Sequence, residues 1–215
     1  MKRIVVWLML CTAATGYLFG QQTATQLRAP SPIRIDIGAS WYHPTLDGLN
    51  SAFASLEDQL GLRRWPGDRI DYSVDAAVRY RFAADQDAVL EGGLSGVYRT
   101  WADDRAFNDM WRLGAGYRIA TAVVPLELSG QVTAGVLQAA FSRSYDARAV
   151  MINAVKTSWY ASVGAGVGYA LLSRTSLQLT LRYLYVPKLT LAAPAATVDL
   201  KALSVGLGVA LQLPS

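Results

Sequence analysis

Hydrophobic and polar residues alternate along most of this chain, from about residue 33 to residue 213. In the last such segment every second residue from Leu203 to Leu213 is Leu or Val, and the residues between them are small or polar. Successive side chains of a β-strand point to opposite faces of a sheet. The alternation therefore predicts strands with one apolar and one polar face.

Eight segments follow this rule, and each is nine residues or longer. Their alternating parts cover residues 33–41, 70–82, 90–98, 111–119, 126–136, 155–171, 177–185 and 203–213. Strands of soluble domains average about 5–6 residues, whereas strands that cross a membrane need about 9–11. Their length favours membrane strands over a soluble β-sandwich, which would also alternate.

The composition of the two faces supports the same choice. The apolar faces carry no charge in mid-strand, and the opposite faces combine Gly, Ala and Ser with Arg and a few acids. Aromatic residues on the apolar faces collect near the segment ends, as in the two aromatic girdles of membrane barrels. The predicted outer girdle contains Trp41, Tyr98, Trp111, Trp159 and Tyr185, and the predicted inner girdle contains Tyr80, Tyr117 and Tyr169.

A sheet in hydrocarbon has to close on itself, because lipid offers no partner to an unpaired backbone amide. Short predicted turns at 83–87, 120–123 and 172–174 alternate with longer connections at 43–68, 100–108, 140–154 and 187–198. The sequence therefore predicts an all-β fold, an eight-stranded antiparallel transmembrane β-barrel with short periplasmic turns and longer outer loops.

The N-terminus has the layout of a secretory signal peptide, with Lys2-Arg3 followed by an apolar stretch from Ile4 to about Leu18. We expect residues 1–20 to be removed by cleavage after Gly20, with cleavage after Gly16 as the alternative, and the barrel to occupy residues 21–215. The single cysteine, Cys11, lies in this stretch, and Leu10 before it disfavours a lipoprotein signal.

Predicted strands two to eight and their loops resemble the small eight-stranded outer-membrane barrels of the OmpA, OmpX and OmpW type. The last strand is similar to the assembly signal of this class, with Ser204, Gly206, Val209 and Leu211 at its spacing. It departs from that signal at residues 213–215, where Leu-Pro-Ser replaces the usual terminal aromatic residue. The resemblance implies an outer-membrane location, contact with outer-membrane lipid and lipopolysaccharide, and insertion by the outer-membrane assembly machinery.

A barrel of eight strands is just wide enough to be filled by its own side chains. We expect the inward charges to form Arg–carboxylate pairs that plug the lumen, and the alternative is a narrow conduit biased towards anions. The predicted lumen charges are Arg34, Asp36, Asp71, Asp75, Arg79, Arg81, Glu91, Arg112, Arg118, Glu127 and Arg182.

The first outer loop changes to helical spacing, and an amphipathic helix ending near Gly61 is predicted there. Its start is expected to be capped by Asp47, Asn50 or Ser51. Arg63-Arg64-Trp65 follows, and it would either bind lipopolysaccharide phosphates or gate a lateral opening. The alternative is a helix that folds over the barrel mouth only to bury its own apolar face. The predicted apolar positions are Leu46, Leu49, Phe53, Leu56 and Leu60.

The formal charge of +4 includes Lys2 and Arg3 and is too small for a nucleic-acid interface. The sole histidine, His43, has acids and serines in other outer loops as candidate partners, but no deacylase-like His-x-Ser pattern is present. These candidates are Asp103, Asp104, Ser142 and Ser144. We therefore predict no enzyme, cofactor or metal, and a structural or surface-interaction role. The alternative, which the OmpW resemblance implies, is a transporter of small solutes.

Overall fold

The computed structural model describes residues 31–67, 70–101, 104–123, 125–145, 149–192 and 194–214. The predicted signal peptide and Cys11 lie outside these ranges. The described elements are β1 (Ile33–Tyr42), α1 (Asp47–Gln59), β2 (Tyr72–Ala83), β3 (Gln86–Trp101), β4 (Asp104–Val123), β5 (Leu126–Tyr145), β6 (Val150–Leu172), β7 (Thr175–Tyr185), β8 (Leu189–Leu191), β9 (Ala196–Val198) and β10 (Ala202–Gln212).

Eight of these strands form a closed antiparallel barrel in the order β1-β10-β7-β6-β5-β4-β3-β2. The barrel closes where β10 pairs with β1, for example through Ile37 and Val209. Strands β8 and β9 form a separate two-stranded hairpin between β7 and β10. The predicted eight-stranded barrel is confirmed, with β10 as its eighth strand.

The strands are tilted, as the stagger of their pairing shows. We follow directly paired residues once around the barrel, starting at Ile33 of β1 and ending at Leu203 of β10. The next residue of β10, Ser204, pairs with Tyr42 of β1. The path therefore returns one residue beyond Tyr42, so the stagger is ten residues, from position 33 to position 43. The intermediate residues are Tyr80, Ala88, Tyr117, Val132, Val163 and Tyr183. A stagger of this kind requires strands inclined to the barrel axis.

The outer surface of the barrel is an apolar band between two levels of exposed aromatic side chains. On β6 these are Trp159 and Tyr169, which are 55% and 48% exposed. Ten residues of tilted strand separate them, which corresponds to about 25 Å along the barrel axis, the height of the apolar band of outer-membrane barrels. No helix in the described ranges is long and apolar enough to span a bilayer.

Two of the four outer connections are much shorter than the sequence indicated. The turns at 84–85 and 173–174 are short, as predicted. On the opposite side β3 and β4 extend to Trp101 and Asp104, and β5 and β6 extend to Tyr145 and Val150. The predicted loops at 100–108 and 140–154 are therefore mostly strand. In β5 the apolar face switches from outward at Val136 to inward at the next residue, so the alternation appeared to stop there.

These extensions, α1 and the β8–β9 hairpin enclose an apolar cluster at the outer mouth, which we call the outer plug. Leu49 and Phe53 of α1 are fully buried in it, as are Leu137 and Phe141 of β5. Ile70 also belongs to it, so the prediction that Ile70 begins the lipid-facing side of the second strand is wrong. The other members include Tyr42, Leu46, Met110, Tyr145, Ile152, Ala154, Tyr160, Leu184, Val186, Leu189, Leu191, Val198 and Leu200.

Helix α1 ends as predicted and begins differently. Gly61 has a φ of 63°, and the Leu62 N–H donates to Glu57 O at 2.7 Å, which is a Schellman end. The predicted caps are wrong, because the N-cap residue is Leu46 and its side chain is held in the outer plug. Leu60 follows the helix and is 44% exposed, so it does not belong to the buried face.

Candidate functional site

The inner half of the lumen holds a cluster of ionised side chains, which we call the inner charge network. Arg118 donates through Nη1 to Asp87 Oδ2 at 2.9 Å and through Nη2 to Glu127 Oε1 at 2.5 Å. Arg34 donates to Glu127 Oε2 at 2.8 Å. The members are Arg34, Asp36, Arg79, Arg81, Asp87, Arg118 and Glu127. Every member has an oppositely charged partner, which compensates the cost of burying a charge.

Further outward lie two separate ion pairs, one along the wall formed by β2 to β4 and one across the lumen. Arg112 is 6% exposed and pairs with Asp75, and the Asp75 carboxylate also accepts from Ser40 Oγ and Ser73 Oγ at 2.8 Å each. The second pair crosses the lumen, since Nη2 of Arg182 on β7 lies 3.1 Å from Oε2 of Glu91 on β3. The Glu91 carboxylate accepts from Gln131 at 3.0 Å, Thr133 at 2.7 Å and Tyr160 at 3.2 Å.

Two glycines provide the space for these pairs. A Cβ atom on Gly93 would lie 2.6 Å from Asp75 Oδ1 and 2.7 Å from Arg112 Cζ. A Cβ atom on Gly114 would collide with the Tyr160 hydroxyl and lie 2.8 Å from Ala134 O. The missing side chains therefore allow long polar side chains from nearby strands to pass over each glycine and reach the strand beyond it.

Between the inner charge network and the outer plug lies a cavity of about 100 Å³. Arg79 and Asp75 line it on the β2 side, and glycines line much of the β1, β6 and β10 side. Arg79 also lines a smaller pocket of about 10 Å³ at the inner end, next to Ser31 and Arg34. The described lumen is thus a central cavity bounded by charges on one side and by apolar packing on the other.

Most of the predicted lumen charges lie in this arrangement, but Asp71 does not. Asp71 precedes β2 at the outer rim, where its carboxylate is 42% exposed and lies 3.9 Å from Arg99 Nη2. Its inclusion in the lumen is therefore a wrong prediction. Conversely, Asp87 is 1% exposed in the inner charge network, although it lies within the turn predicted at 83–87. The spacing of Asp87, Val89 and Glu91 on one strand face was the signal that would have identified it.

A second group that sequence reasoning missed closes the outer plug. Glu57 of α1 is fully buried, and its carboxylate accepts hydrogen bonds from Arg143 and from the Tyr145 hydroxyl. It also accepts from the Trp65 backbone N–H at 3.1 Å. Burial raises the pKa of the Tyr145 phenol, and its hydrogen bond to Glu57 raises that pKa further.

The segment that follows α1 does not have the arrangement expected of a lipid-binding motif. Trp65 is 7% exposed and packed in the protein, so the prediction that it pairs with two cations at the lipid surface is wrong for this residue. Arg64 Nε donates to Asp58 Oδ1 at 2.8 Å. The hydrogen bond from Arg64 lowers the pKa of the Asp58 carboxyl.

The predicted girdle aromatics lie on the outer surface wherever their side chains are described. Trp159 packs against Tyr185 with ring centroids 5.6 Å apart, and Trp111 Nε1 donates to Gln138 at 2.9 Å. At the inner level the ring centroids of Phe82 and Tyr117 lie 6.1 Å apart. The exposed fractions are 68% for Trp41, 37% for Trp111, 39% for Tyr185, 53% for Tyr80 and 48% for Tyr169. The Tyr98 side chain lies outside the described part of the chain.

The histidine that the sequence offered for catalysis is held by a carboxylate at the rim. His43 Nδ1 lies 3.2 Å from Asp71 Oδ1, and both side chains are largely exposed. Asp103, one of its candidate partners, lies outside the described residues, and Asp104, Ser142 and Ser144 belong to β4 and β5. Among the described residues no group of three or more His, Cys, Asp or Glu side chains is arranged to hold a metal ion.

Strands β3 to β6 rise above the rest of the barrel as a four-stranded sheet, which we call the outer sheet. Pairing between β6 and β7 ends at Ala161 and Tyr185, although β6 begins at Val150. Pairing between β3 and β2 ends at Ser95 and Ser73, although β3 continues to Trp101. Above those levels each outermost strand has a neighbour on one side only within the described barrel.

The fold is shared with several solved structures, whereas the sequence matches no protein-family model and no curated protein. Neisserial surface protein A (NspA) is 15% identical, with a TM-score of 0.58 over 86% of this chain and 100% of NspA. OprG from Pseudomonas aeruginosa is 14% identical, with a TM-score of 0.56 over 86% of this chain and 98% of OprG.

Ail, the attachment invasion locus protein of Yersinia pestis, was solved in complex with the heparin analogue sucrose octasulfate. It is 14% identical, with a TM-score of 0.53 over 84% of this chain and 97% of Ail. Identities at this level establish the fold alone. The chain has the fold of the small eight-stranded outer-membrane β-barrels, the OmpA, OmpX and OmpW type that its sequence resembles.

Proposed function

We propose that this chain is an outer-membrane surface protein that binds extended segments of external partners along the open edge of its outer sheet. The observation that carries the proposal is the unpaired edge of β6 over residues 150–160. Such an edge presents a row of free backbone donors and acceptors, to which another chain can add as a strand.

The direction of the free groups follows from one hydrogen bond. The Ala170 N–H donates to Pro125 O at 3.0 Å, so even-numbered residues of β6 bond towards β5. Residues of a strand alternate between its two neighbours, and the odd-numbered ones therefore point away from β5. The free-edge residues of β6 are Met151, Asn153, Val155, Thr157 and Trp159.

The surroundings of this edge suit a peptide ligand. Met151 and Val155 are 67% and 53% exposed and would lie beside an added strand on its outer face. Strand β8 lies near β6, but it pairs with β9 and not with β6. The outward side chains of Met151 and Val155 are thus exposed on this edge and available to a partner.

The lumen supports a small-solute transporter less well than the outer sheet supports a surface-binding role. Apolar side chains from α1 and β5 pack together across the outer mouth, and the described cavity below them has a volume of about 100 Å³. The inner end is crossed by the inner charge network. A transport role would require displacement of the outer plug, and no described feature favours that movement.

We also propose that the protein is exported by cleavage of residues 1–20 and inserted by the outer-membrane assembly machinery, with lipopolysaccharide around its outer girdle. The apolar band and the two aromatic levels support membrane insertion. At the outer level Lys201 Nζ lies 5.0 Å from the Tyr185 ring centroid, which places a cation beside an interfacial aromatic ring where lipid phosphates lie.

A proline at the free edge tests the surface role. Val155→Pro removes an N–H that points away from β5, and edge positions tolerate proline. Cells displaying the barrel are measured for binding to a set of immobilised extended peptides in which apolar and polar residues alternate. We expect binding to at least one of these probes by the wild type and its loss in Val155→Pro.

The matched control is Val155→Thr, which keeps the backbone donor and a β-branched side chain. It should bind as the wild type does, and both variants should show the heat-modifiable gel shift of a folded barrel. Equal binding by Val155→Pro, or no binding by the wild type, would contradict the proposal. Reproducible unitary conductance in planar bilayers would instead favour transport.

A further inference from the structure

Three buried polar atoms on the inner walls of β3 and β4 have no hydrogen-bond partner within the described part of the chain. They are Ser95 Oγ, Asn108 Oδ1 and Arg112 Nε, in residues that are 4%, 2% and 6% exposed. Buried polar groups of folded proteins are almost always bonded either to protein or to ordered water. Each of these atoms can therefore form one further hydrogen bond.

Strand register places the three residues one above another. Gly93 of β3 pairs with Arg112, and Ser95, two residues further along β3, pairs with Met110. Asn108 lies two residues beyond Met110 on β4 and faces the same side of the sheet. Diagonal neighbours of this kind are about 7–8 Å apart at Cα, a separation that one or two hydrogen-bonded waters bridge between side chains.

Both ends of this row reach polar surroundings. At the inner end, Arg112 pairs with Asp75, which lines the 100 Å³ cavity. At the outer end, Arg99 lies two residues beyond Val97, the partner of Asn108. The Arg99 side chain is 35% exposed and lies near the exposed Asp71 carboxylate at the rim. The row thus runs from the cavity to outside solvent.

The neighbouring strands β5 and β6 have a different character at this level, although Leu137 and Phe141 pair directly with Arg112 and Asn108. Leu137 and Phe141 of β5 and Ile152 of β6 are buried apolar residues of the outer plug. The three unpartnered atoms therefore lie in a row on β3 and β4, with apolar packing directly beside them on β5. We call the row of Asp75, Arg112, Ser95, Asn108, Arg99 and Asp71 the polar seam.

We propose that a single file of ordered water molecules occupies the polar seam and connects the central cavity with the external solution. Water fits the seam better than an ion does, because the unpartnered atoms are a hydroxyl, an amide oxygen and one N–H of an arginine already paired with Asp75. Three such groups supply both donors and acceptors and no excess charge.

The polar seam makes the outer plug permeable to water and impermeable to salt ions. Water exchanges between the cavity and the outside, while the packed apolar side chains exclude hydrated salt ions. The inner charge network separates the cavity from the other end of the barrel, since Arg79 lines both the cavity and the small inner pocket. The cavity therefore equilibrates with the outer solution.

Nuclear magnetic resonance of the ¹⁵N-labelled barrel in lipid nanodiscs tests the proposal. We expect magnetisation transfer from water to the Asn108 side-chain amide and to the Arg112 Nε–H. In the variant Ser95→Val/Asn108→Leu, exchange of the Arg112 Nε–H with solvent should slow by about tenfold or more, because it then requires local opening of the plug.

Ser158→Val is the matched control, since Ser158 faces inward on β6 at the level of Arg112, and the apolar Leu137 of β5 separates it from the seam. It should leave the exchange rate of Arg112 unchanged. The proposal is overturned if the double variant exchanges as fast as the wild type, or if the Asn108 amide shows no transfer from water. If the double variant does not fold, the exchange rate of the Arg112 Nε–H is measured in Ser95→Val, and transfer from water to the Asn108 amide is measured in the wild type. The same results then support or overturn the proposal.

Discussion

Glu57 of α1 and Arg143 of β5 form an ion pair whose two side chains are 0% and 1% exposed. The Arg143 Cζ atom also lies 3.9 Å from the centroid of the Phe53 ring, so the guanidinium is covered on one face by an aromatic ring. This pair fixes a loop helix to the inside of a barrel strand. It is the polar centre of an otherwise apolar plug.

Removing one member of this pair should release the helix. Glu57→Leu removes the carboxylate that pairs with the buried Arg143 guanidinium, and we expect a loss of about 3–5 kcal/mol in the stability of the outer plug. Limited proteolysis of folded barrels measures the effect, with faster cleavage between residues 43 and 70 in the variant. The double variant Glu57→Leu/Arg143→Leu should recover much of the protection, and equal cleavage of both variants would contradict this account.

Arg118 should be equally sensitive inside the barrel. Arg118→Met removes the shared partner of Asp87 and Glu127, two carboxylates that are 2% and 15% exposed. We expect the free energy of unfolding in urea to fall by about 3–5 kcal/mol. Arg64→Met serves as the control, because its ion pair with Asp58 is exposed and its loss should leave the urea midpoint unchanged. A similar midpoint for both variants would argue against a tightly packed inner charge network.

The sequence was sufficient for the barrel and for most of the lumen. Alternation identifies Arg79, Glu91, Arg112 and Arg118 as inward residues because period-two patterning survives in every strand that faces lipid outside. The outward face has to be continuously apolar in the membrane, so any charge within the pattern has to point inward. Asp87 was missed only because the turn before it is shorter than expected.

Above the membrane, alternation of apolar and polar residues no longer shows which side chains point inward. Once the outer face meets water and the inner face meets α1, the apolar side of β5 becomes the inner one, as at Leu137 and Phe141. The alternation then changes phase and resembles a loop. The pairing of Glu57 with Arg143 depends on where α1 packs, and no local pattern in either segment specifies that contact.

Glycine substitution should distinguish the inside of the barrel from its outside. Gly114→Ala places a methyl group against the Tyr160 hydroxyl and the Ala134 carbonyl, so we expect a loss of about 1–3 kcal/mol in unfolding free energy. Gly130→Ala is the matched control on β5, where an added Cβ meets nothing within 4 Å. Urea titration of both variants provides the measurement, and equal midpoints would contradict the assigned position of Tyr160.

Fluorescence quenching by brominated lipids should separate the two kinds of tryptophan. Trp159 is 55% exposed on the apolar outer surface, whereas Trp65 is 7% exposed and its backbone is bonded to Glu57. In single-tryptophan variants with the others changed to Phe, lipids brominated near the headgroup should quench Trp159 strongly. They should leave Trp65 almost unquenched, with the blue-shifted emission of a buried indole. Strong quenching of Trp65 would instead place the segment after α1 in the lipid, where it would serve as the docking motif that the sequence had indicated.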